Sequence, residues 1–127
     1  MSRKPHHRKL PDHRKVPDHW TLVAGKSPPD DFGFKSDRLQ IIYNNTSESW
    51  HDKSSHAHAD SDEVYIVLEG AMSIEVGERV IDVRAGEVLC VPTGVFHRLV
   101  AVATPVKSLV IRSPSVNDKV FQSENDA

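Results

Sequence analysis

The segment HAHADSDEVYIVLEG (56–70) carries two histidines and a carboxylate at a spacing that suits a metal site. His56 and His58 are two residues apart, so on a β strand both side chains point to the same face. The turn-like ADSD segment then places Glu63 at the start of the next strand, where antiparallel pairing can bring it beside the histidines. Two imidazoles and one carboxylate are ligands that a borderline divalent transition metal prefers.

A second segment, GEVLCVPTGVFH (86–97), could supply a further ligand. Its PTG turn separates one apolar strand from the strand that begins with His97. Val95, His97 and Leu99 share a face of that strand. An inward His97 would therefore have apolar neighbours, which suits a metal ligand whose surroundings exclude bulk water.

Short apolar runs must position these side chains. The runs recur at intervals of about ten residues, with Gly or Pro between them and β-branched residues concentrated inside them. No stretch of ten or more residues has a 3.6-residue apolar period. The pattern predicts an all-β sandwich or barrel. Strands are expected at 38–44, 55–59, 63–69, 71–76, 79–83, 87–91, 96–102 and 107–112.

Both segments resemble the two sequence motifs of the cupin superfamily. The family motifs are G-x5-H-x-H-x(3,4)-E-x6-G and G-x5-P-x-G-x2-H-x3-N, and fifteen residues separate them here, as in small microbial cupins. Trp50 stands where the first motif begins with glycine, and Ala101 stands where the second ends with asparagine. The positions that agree are His56, His58, Glu63, Gly70, Gly86, Pro92, Gly94 and His97.

The resemblance implies a six- or eight-stranded jelly-roll barrel, also called a double-stranded β-helix, over roughly residues 36–113. One divalent transition metal would lie inside it, and an octahedral metal would keep two positions for water or substrate. Cupins that resemble this chain hold iron, manganese, nickel, zinc or copper, and three nitrogens and one oxygen do not choose among these metals. The implied ligands are His56, His58, Glu63 and His97.

Other side chains could contribute to the site. Tyr65 follows Glu63 by two residues and faces the same interior. Some cupin lyases resemble this arrangement and use the tyrosine as a base, so Tyr65 is a candidate catalytic residue. The alternative, which we favour, is that Tyr65 packs the barrel and donates a hydrogen bond. Trp50, Tyr43 and Phe96 are candidates for pocket lining or core.

Composition limits the class of protein. The 127 residues suit one domain with a single core. Cys90 is the single cysteine, so thiolate clusters and an internal disulfide are excluded, and we expect a small buried hydrophobe at this position. No apolar run approaches the roughly 18 residues of a membrane span, and the basic N-terminus has no apolar signal region. Cytosolic location is the default expectation. Lys107 and Arg112 are expected to be solvated at the surface.

Charge and repetition divide the chain. HRKLPDH at 7–13 overlaps HRKVPDH at 13–19, within a segment that has six Lys/Arg and two Asp. We expect residues 1–20 to be a flexible basic arm, 21–113 the barrel domain, and 114–127 a polar tail with a short edge segment. Residues 21–127 hold ten Lys/Arg and sixteen Asp/Glu, and this acidic balance argues against a nucleic-acid partner.

Two functions remain open at this point. The first is a mononuclear metal-dependent enzyme that acts on a small oxygenated molecule, by dioxygenase-like chemistry or as a decarboxylase, lyase or isomerase. The second is a non-catalytic module that binds a sugar or an organic acid. A homodimer is expected in either case, because an open sheet edge needs covering.

Overall fold

The computed structural model describes residues 13–16, 20–27 and 33–122, and these contain nine β strands and no α-helix. Most of the expected arm and the end of the expected tail lie outside the described residues. No helix in the described part is long and apolar enough to cross a lipid bilayer. The strands are β1 (Thr21–Gly25), β2 (Phe34–Lys35), β3 (Gln40–Thr46), β4 (His56–His58), β5 (Asp62–Val76), β6 (Arg79–Arg84), β7 (Val88–Val91), β8 (His97–Ser113) and β9 (Lys119–Phe121).

Two long strands, β5 and β8, form the centre of the barrel by pairing antiparallel along most of their length. The first half of β5 pairs with β7, and its second half pairs with β6. Beyond the second half of β8, the sheet continues through β3 and β1 to β2. Beyond the first half of β8, it continues through β4 to β9. The predicted all-β barrel is therefore confirmed.

The two long strands do not end at the Gly and Pro residues where the sequence predicted strand ends. We expected separate strands on either side of Gly70 and of the Thr104–Pro105 pair, but both strands continue through these places with register shifts. Gly70 has a φ of +76°, and a Cβ atom there would lie against the carbonyl oxygens of Ala103 and Pro105. Only glycine fits this bend, which is a bulge rather than a strand end.

Alternate residues of the strands fill the interior with apolar side chains. Val67, Ile74 and Val106 are fully excluded from solvent, and burial of such a side chain contributes about 1.5–3 kcal/mol. Trp50 is partly buried and packs against this core. Most core residues lie on β5 and β8, the strands that carry Glu63 and His97. The members of the core are Tyr65, Val67, Met72, Ile74, Val83, Val91, Leu99, Val106 and Val110.

Two residues that we placed inside lie on the outer face of the barrel. The register sets Cys90 opposite Val64 and Tyr43 opposite Leu109, whereas the buried Asn44 next to Tyr43 points inward. Cys90 is exposed, so its expected burial is wrong. Tyr43 does not reach the interior as pocket lining or core. The pairing of strands decides these faces, and pairing cannot be read from local spacing.

The sheet also extends beyond the elements that the sequence indicated. β1 pairs with β3, and β2 pairs parallel with β1, ahead of the first strand that we expected, at 38–44. At the other end, β9 adds an edge strand to β4. The short edge segment expected in the tail is thus present, and it lies directly beside the strand that carries two of the candidate ligands.

Candidate metal centre

Strand pairing brings the four candidate ligands to one point. His56 and His58 lie on β4, where His56 is the register partner of His97 at the start of β8. Glu63 is the second residue of β5 and points into the barrel. All four side chains are buried, and each offers a ligand atom within 4.8 Å of the others. A single ion with bonds of about 2 Å can join such atoms after a small inward movement of the side chains.

Glu63 lies between two of the imidazoles. Its Oε1 atom is 2.8 Å from Nε2 of His97, and its Oε2 atom is 3.5 Å from Nε2 of His58. The rings of His56 and His97 are 4.4 Å apart between centroids. The nitrogen and oxygen atoms that face one another here are those that ligate divalent transition metals.

The hydrogen bonds on the far side of two rings decide which nitrogen faces the cluster. Nδ1 of His97 donates to the backbone oxygen of Val95 at 2.9 Å, because a carbonyl can only accept. In a neutral His97, Nε2 would then carry a lone pair directed at a carboxylate oxygen. Two acceptors at 2.8 Å need a proton or a cation between them, so the cluster is built to hold a positive charge.

His58 is fixed in the same way by a residue that sequence reasoning missed. Its Nδ1 atom lies 3.0 Å from Oδ1 of Asp118, in the segment between β8 and β9. Nε2 of His58 is buried and has no hydrogen-bond partner among the described residues. A buried ligand nitrogen without a partner is what a site for a metal ion requires, and the donor set therefore fits a divalent transition metal.

Electrostatics inside the cluster separate the charged from the neutral groups. Burial alone would raise the pKa of Glu63, but the contacts with His58 and His97 lower it below its ordinary range. Burial alone would lower the pKa of His97, but its hydrogen bond to Glu63 raises it overall. Burial and the charges of His97 and Lys119 lower the pKa of His56 to about 4. At neutral pH, His56 thus presents a free lone pair beside an anionic carboxylate.

Comparison with known proteins decides the family. The model of the cupin domain family matches residues 47–112, which are 66 of the 127 residues. The chain belongs to the cupin family. A relative from Streptomyces coelicolor, the uncharacterized protein SCO3923, is 39% identical to this cupin over 61 residues. That match covers 48% of this chain and 57% of the relative, so it spans little more than half of the relative's length.

Solved structures with the same fold include enzymes. The Streptomyces nucleoside dehydratase Pac13 superposes with a TM-score of 0.59 at 12% identity, over 72% of this cupin and 73% of Pac13. KdgF from Halomonas sp. has a TM-score of 0.60 at 17% identity, with 86% and 93% covered. The DMSP lyase DddQ from Ruegeria pomeroyi DSS-3 has a TM-score of 0.58 at 20% identity, with 81% and 50% covered. At these identities the likeness shows the shared fold.

Tyr65 of this cupin lies in the interior next to the cluster, as its parity predicted. The phenol is buried and donates a hydrogen bond of 3.0 Å to Oε1 of Glu63. Burial and the negative charge of Glu63 raise the pKa of Tyr65 well above its usual value. The phenol therefore keeps its proton at neutral pH and serves as a hydrogen-bond donor, and its role as a catalytic base stays a prediction.

The remaining pocket candidates differ in position. Trp50 is partly buried against the core, and Phe96 is partly buried immediately before His97. Arg112, which we expected at the surface, is buried and forms an ion pair of 2.8 Å with Asp118. That expectation is wrong because even-numbered residues in the second half of β8 point inward, and a buried guanidinium needs a carboxylate partner.

Proposed function

We propose that this cupin binds one divalent transition-metal ion and is a metal-dependent enzyme acting on a small oxygenated molecule. The observation that carries the proposal is the convergence of four buried ligand atoms, with Nε2 of His58 left without a hydrogen-bond partner among the described residues. The ion would be held by His56, His58, Glu63 and His97. Iron, manganese, nickel, zinc and copper all suit three nitrogens and one oxygen.

Each part of the site has a distinct task in this proposal. A bound divalent ion supplies a Lewis acid that polarises a substrate oxygen. Leu99 is buried in the core and Val95 packs against that core, and these apolar residues on either side of His97 would limit the access of bulk water to the ligands. Tyr65 holds a proton 3.0 Å from Glu63 and can donate a hydrogen bond to substrate in the same place.

The protonated phenol bears on the class of reaction. A dehydratase must stabilise a leaving oxygen, and Tyr65 keeps its proton 3.0 Å from Glu63, so it can donate a hydrogen bond to that oxygen. Pac13 and DddQ, which share the fold, carry the names of a dehydratase and a lyase. This likeness supports the lyase class by analogy of fold alone. Dioxygenase-like chemistry, one of the reaction types left open by the sequence, stays a prediction.

Two side chains of strand β9 favour an anionic substrate. In the β4–β9 pair, Lys119 is the register partner of His58, and Phe121 is the partner of His56, so each lies on the same face as its partner. Both β9 side chains are exposed. An ammonium group and an aromatic ring at the rim of the cluster suit a small molecule that carries a carboxylate or another anionic group.

Metal analysis tests the proposal. Purified, untagged protein is stripped with chelator, reconstituted separately with each of the five metals, and analysed beside a His58→Ala/His97→Ala variant. The wild type is expected to hold about one equivalent of at least one metal, and the variant almost none. His51→Ala is the matched control, because His51 is an exposed histidine outside the cluster. Uptake below about a tenth of an equivalent with every metal would overturn the proposal.

The identity of the metal directs the search for turnover. Iron, nickel or manganese leads first to oxygen-consumption assays with small phenols, diketones and thiols. Zinc leads to elimination and isomerisation assays with small hydroxy acids. Turnover that survives in the His58→Ala/His97→Ala variant would contradict the mechanism. The alternative function is non-catalytic binding of a sugar or organic acid, and tight binding without turnover under aerobic conditions with several metals would favour it.

A further inference from the structure

Asp118 is a buried carboxylate that the proposed function does not use. It lies outside the four-residue cluster, and only 1% of its side chain is exposed to solvent. Its Oδ1 atom faces Nδ1 of His58 at 3.0 Å, on the side of the ring opposite the cluster. Burial of a carboxylate is energetically costly unless both oxygens have partners, so the position of Asp118 needs a structural explanation.

Partners on several sides hold the Asp118 carboxylate in place. Oδ2 accepts hydrogen bonds from the Ser61 hydroxyl at 2.7 Å and from the Asp60 backbone N–H at 2.9 Å. Oδ1 accepts one from Nη1 of Arg112 at 2.8 Å, and the same Nη1 atom also donates to the Val116 backbone oxygen at 2.7 Å. The carboxylate is therefore charge-compensated and cannot rotate away from His58 without breaking these bonds.

The backbone sets the position of Asp118 against β4. The Ala59 N–H donates to the Asp118 backbone oxygen at 3.0 Å, which continues the β4–β9 ladder beyond its last paired residues. Because β4 carries both His56 and His58, the pairing of β9 with β4 also places the Asp118 carboxylate beside His58. The C-terminal segment is thus tied to the cluster by main chain and side chain together.

We propose that Asp118 is a positioning residue that fixes the tautomer and the ring orientation of His58, so that Nε2 presents its lone pair to the metal. The inference rests on the proposed function. The Nδ1–H of His58 donates to the carboxylate, and Nε2 is left as the acceptor that faces the cluster.

The experiment compares Asp118→Asn with the wild type by metal affinity and by the tautomer of His58. Zn²⁺ and Co²⁺ affinities are measured by competition with a chromophoric chelator, and the ring nitrogens are assigned by long-range proton–nitrogen NMR on metal-free protein. Asp118→Asn is expected to bind both ions about 10- to 100-fold more weakly. It is also expected to shift His58 from the Nδ1–H form towards a mixture, and to alter the visible spectrum of bound Co²⁺.

A charge-matched variant separates position from charge. Asn117 is the exposed neighbour of Asp118, so the double variant Asn117→Asp/Asp118→Asn keeps the net charge and moves the carboxylate by one residue. It is expected to behave like Asp118→Asn. Circular dichroism and thermal unfolding show that each variant is folded, and the near-isosteric change Asp118→Asn is preferred to an alanine substitution for that reason.

The outcomes distinguish this inference from the proposed function. Equal metal affinity and an unchanged His58 tautomer in Asp118→Asn would overturn the inference and leave the proposed function standing. Recovery of wild-type affinity in the double variant would also overturn it, since charge alone would then suffice. If the wild type takes up neither of these ions nor any of the five metals tested above, the proposed function fails and the affinity claim fails with it.

Discussion

His56 links the stability of the metal-free protein to pH. Burial, with the charges of His97 and Lys119, lowers the pKa of His56 from 6.5 to about 4 in the folded chain. The unfolded chain therefore takes up a proton first, and the free energy of unfolding is expected to fall as pH drops from 6.5 towards 4. The slope is at most about 1.4 kcal/mol per pH unit. Urea unfolding of chelator-treated protein across this range measures it.

The other groups of the cluster act in different pH windows. Burial lowers the pKa of His97, but the hydrogen bond to Glu63 raises it overall, so its contribution is complete below pH 6.5 and is lost as pH rises through the raised pKa. Glu63, whose pKa is lowered despite burial, loses its contribution only below its ordinary pKa of 4.5. His56→Asn is therefore expected to flatten the slope between pH 6.5 and 4.5. An unchanged slope in this variant would contradict the assignment.

Tyr65 can be separated from the ligands by removing one oxygen. Tyr65→Phe keeps the ring in the core and deletes the hydrogen bond to Glu63. Because the acceptor is a buried charge, the free energy of unfolding is expected to fall by about 1.5–3 kcal/mol. Metal uptake should stay at about one equivalent, since the four ligand side chains are intact. Chemical unfolding and metal analysis of the same sample check both results, and loss of the metal would show that Tyr65 is needed to form the site.

At the scale of elements, Gly70 allows β5 to serve both halves of the barrel. Gly70→Ala is expected to lower the free energy of unfolding by about 2–5 kcal/mol, from the strain of a positive φ and from overlap with two carbonyl oxygens. Gly77→Ala is the matched control, because Gly77 has a φ of +62° and no atom within 4 Å of an added Cβ. Its cost should be only about 1–2 kcal/mol.

Urea unfolding of the two glycine variants measures the difference directly. If Gly70→Ala is no more destabilising than Gly77→Ala, then β5 does not approach β8 at this bulge as closely as the structure shows. The comparison removes the shared effect of positive φ, so the difference reports the contact with the carbonyl oxygens of Ala103 and Pro105 alone.

For the whole molecule, the homodimer stays a prediction; the sequence led us to expect pairing at an open sheet edge, and the outer face of the barrel offers a second possible interface. Strands β7, β5, β8 and β3 present the apolar residues Val88, Ile66, Leu109 and Tyr43 in one row across this face. Val88 is 66% exposed, which is unusual for valine in a sheet. A second copy of the chain can cover this row with the same row of its own residues, because a twofold axis brings the same surface of both subunits together.

Light scattering of the purified protein tests the dimer. The wild type is expected to have the mass of two chains, and Val88→Asp the mass of one. Val80→Asp is the control, since Val80 is 56% exposed but lies on β6, in the other half of the barrel. A monomeric wild type would show that the prediction is wrong, and a Val88→Asp variant that remains dimeric would place the interface elsewhere.

The sequence by itself indicated the all-β fold through local rules, and its resemblance to the cupin motifs implied the four members of the cluster. Side-chain parity puts His56 and His58 on one face, and turn residues place Glu63 and His97 at the starts of strands. Regular apolar runs are sufficient to indicate an all-β fold. The same parity placed Tyr65 inside next to Glu63, where the structure has it.

Only the tertiary structure decided which strands pair and in which register. That pairing brings Asp118 next to His58, which is 60 positions away in the sequence, and it buries Arg112. It also places Cys90 and Tyr43 on the outer face and lets β5 continue through Gly70. None of this has a local signature, since an aspartate in a polar tail looks the same whether it is solvated or buried. Register is fixed by the total burial of all strands together, and a shift of one residue reverses every face.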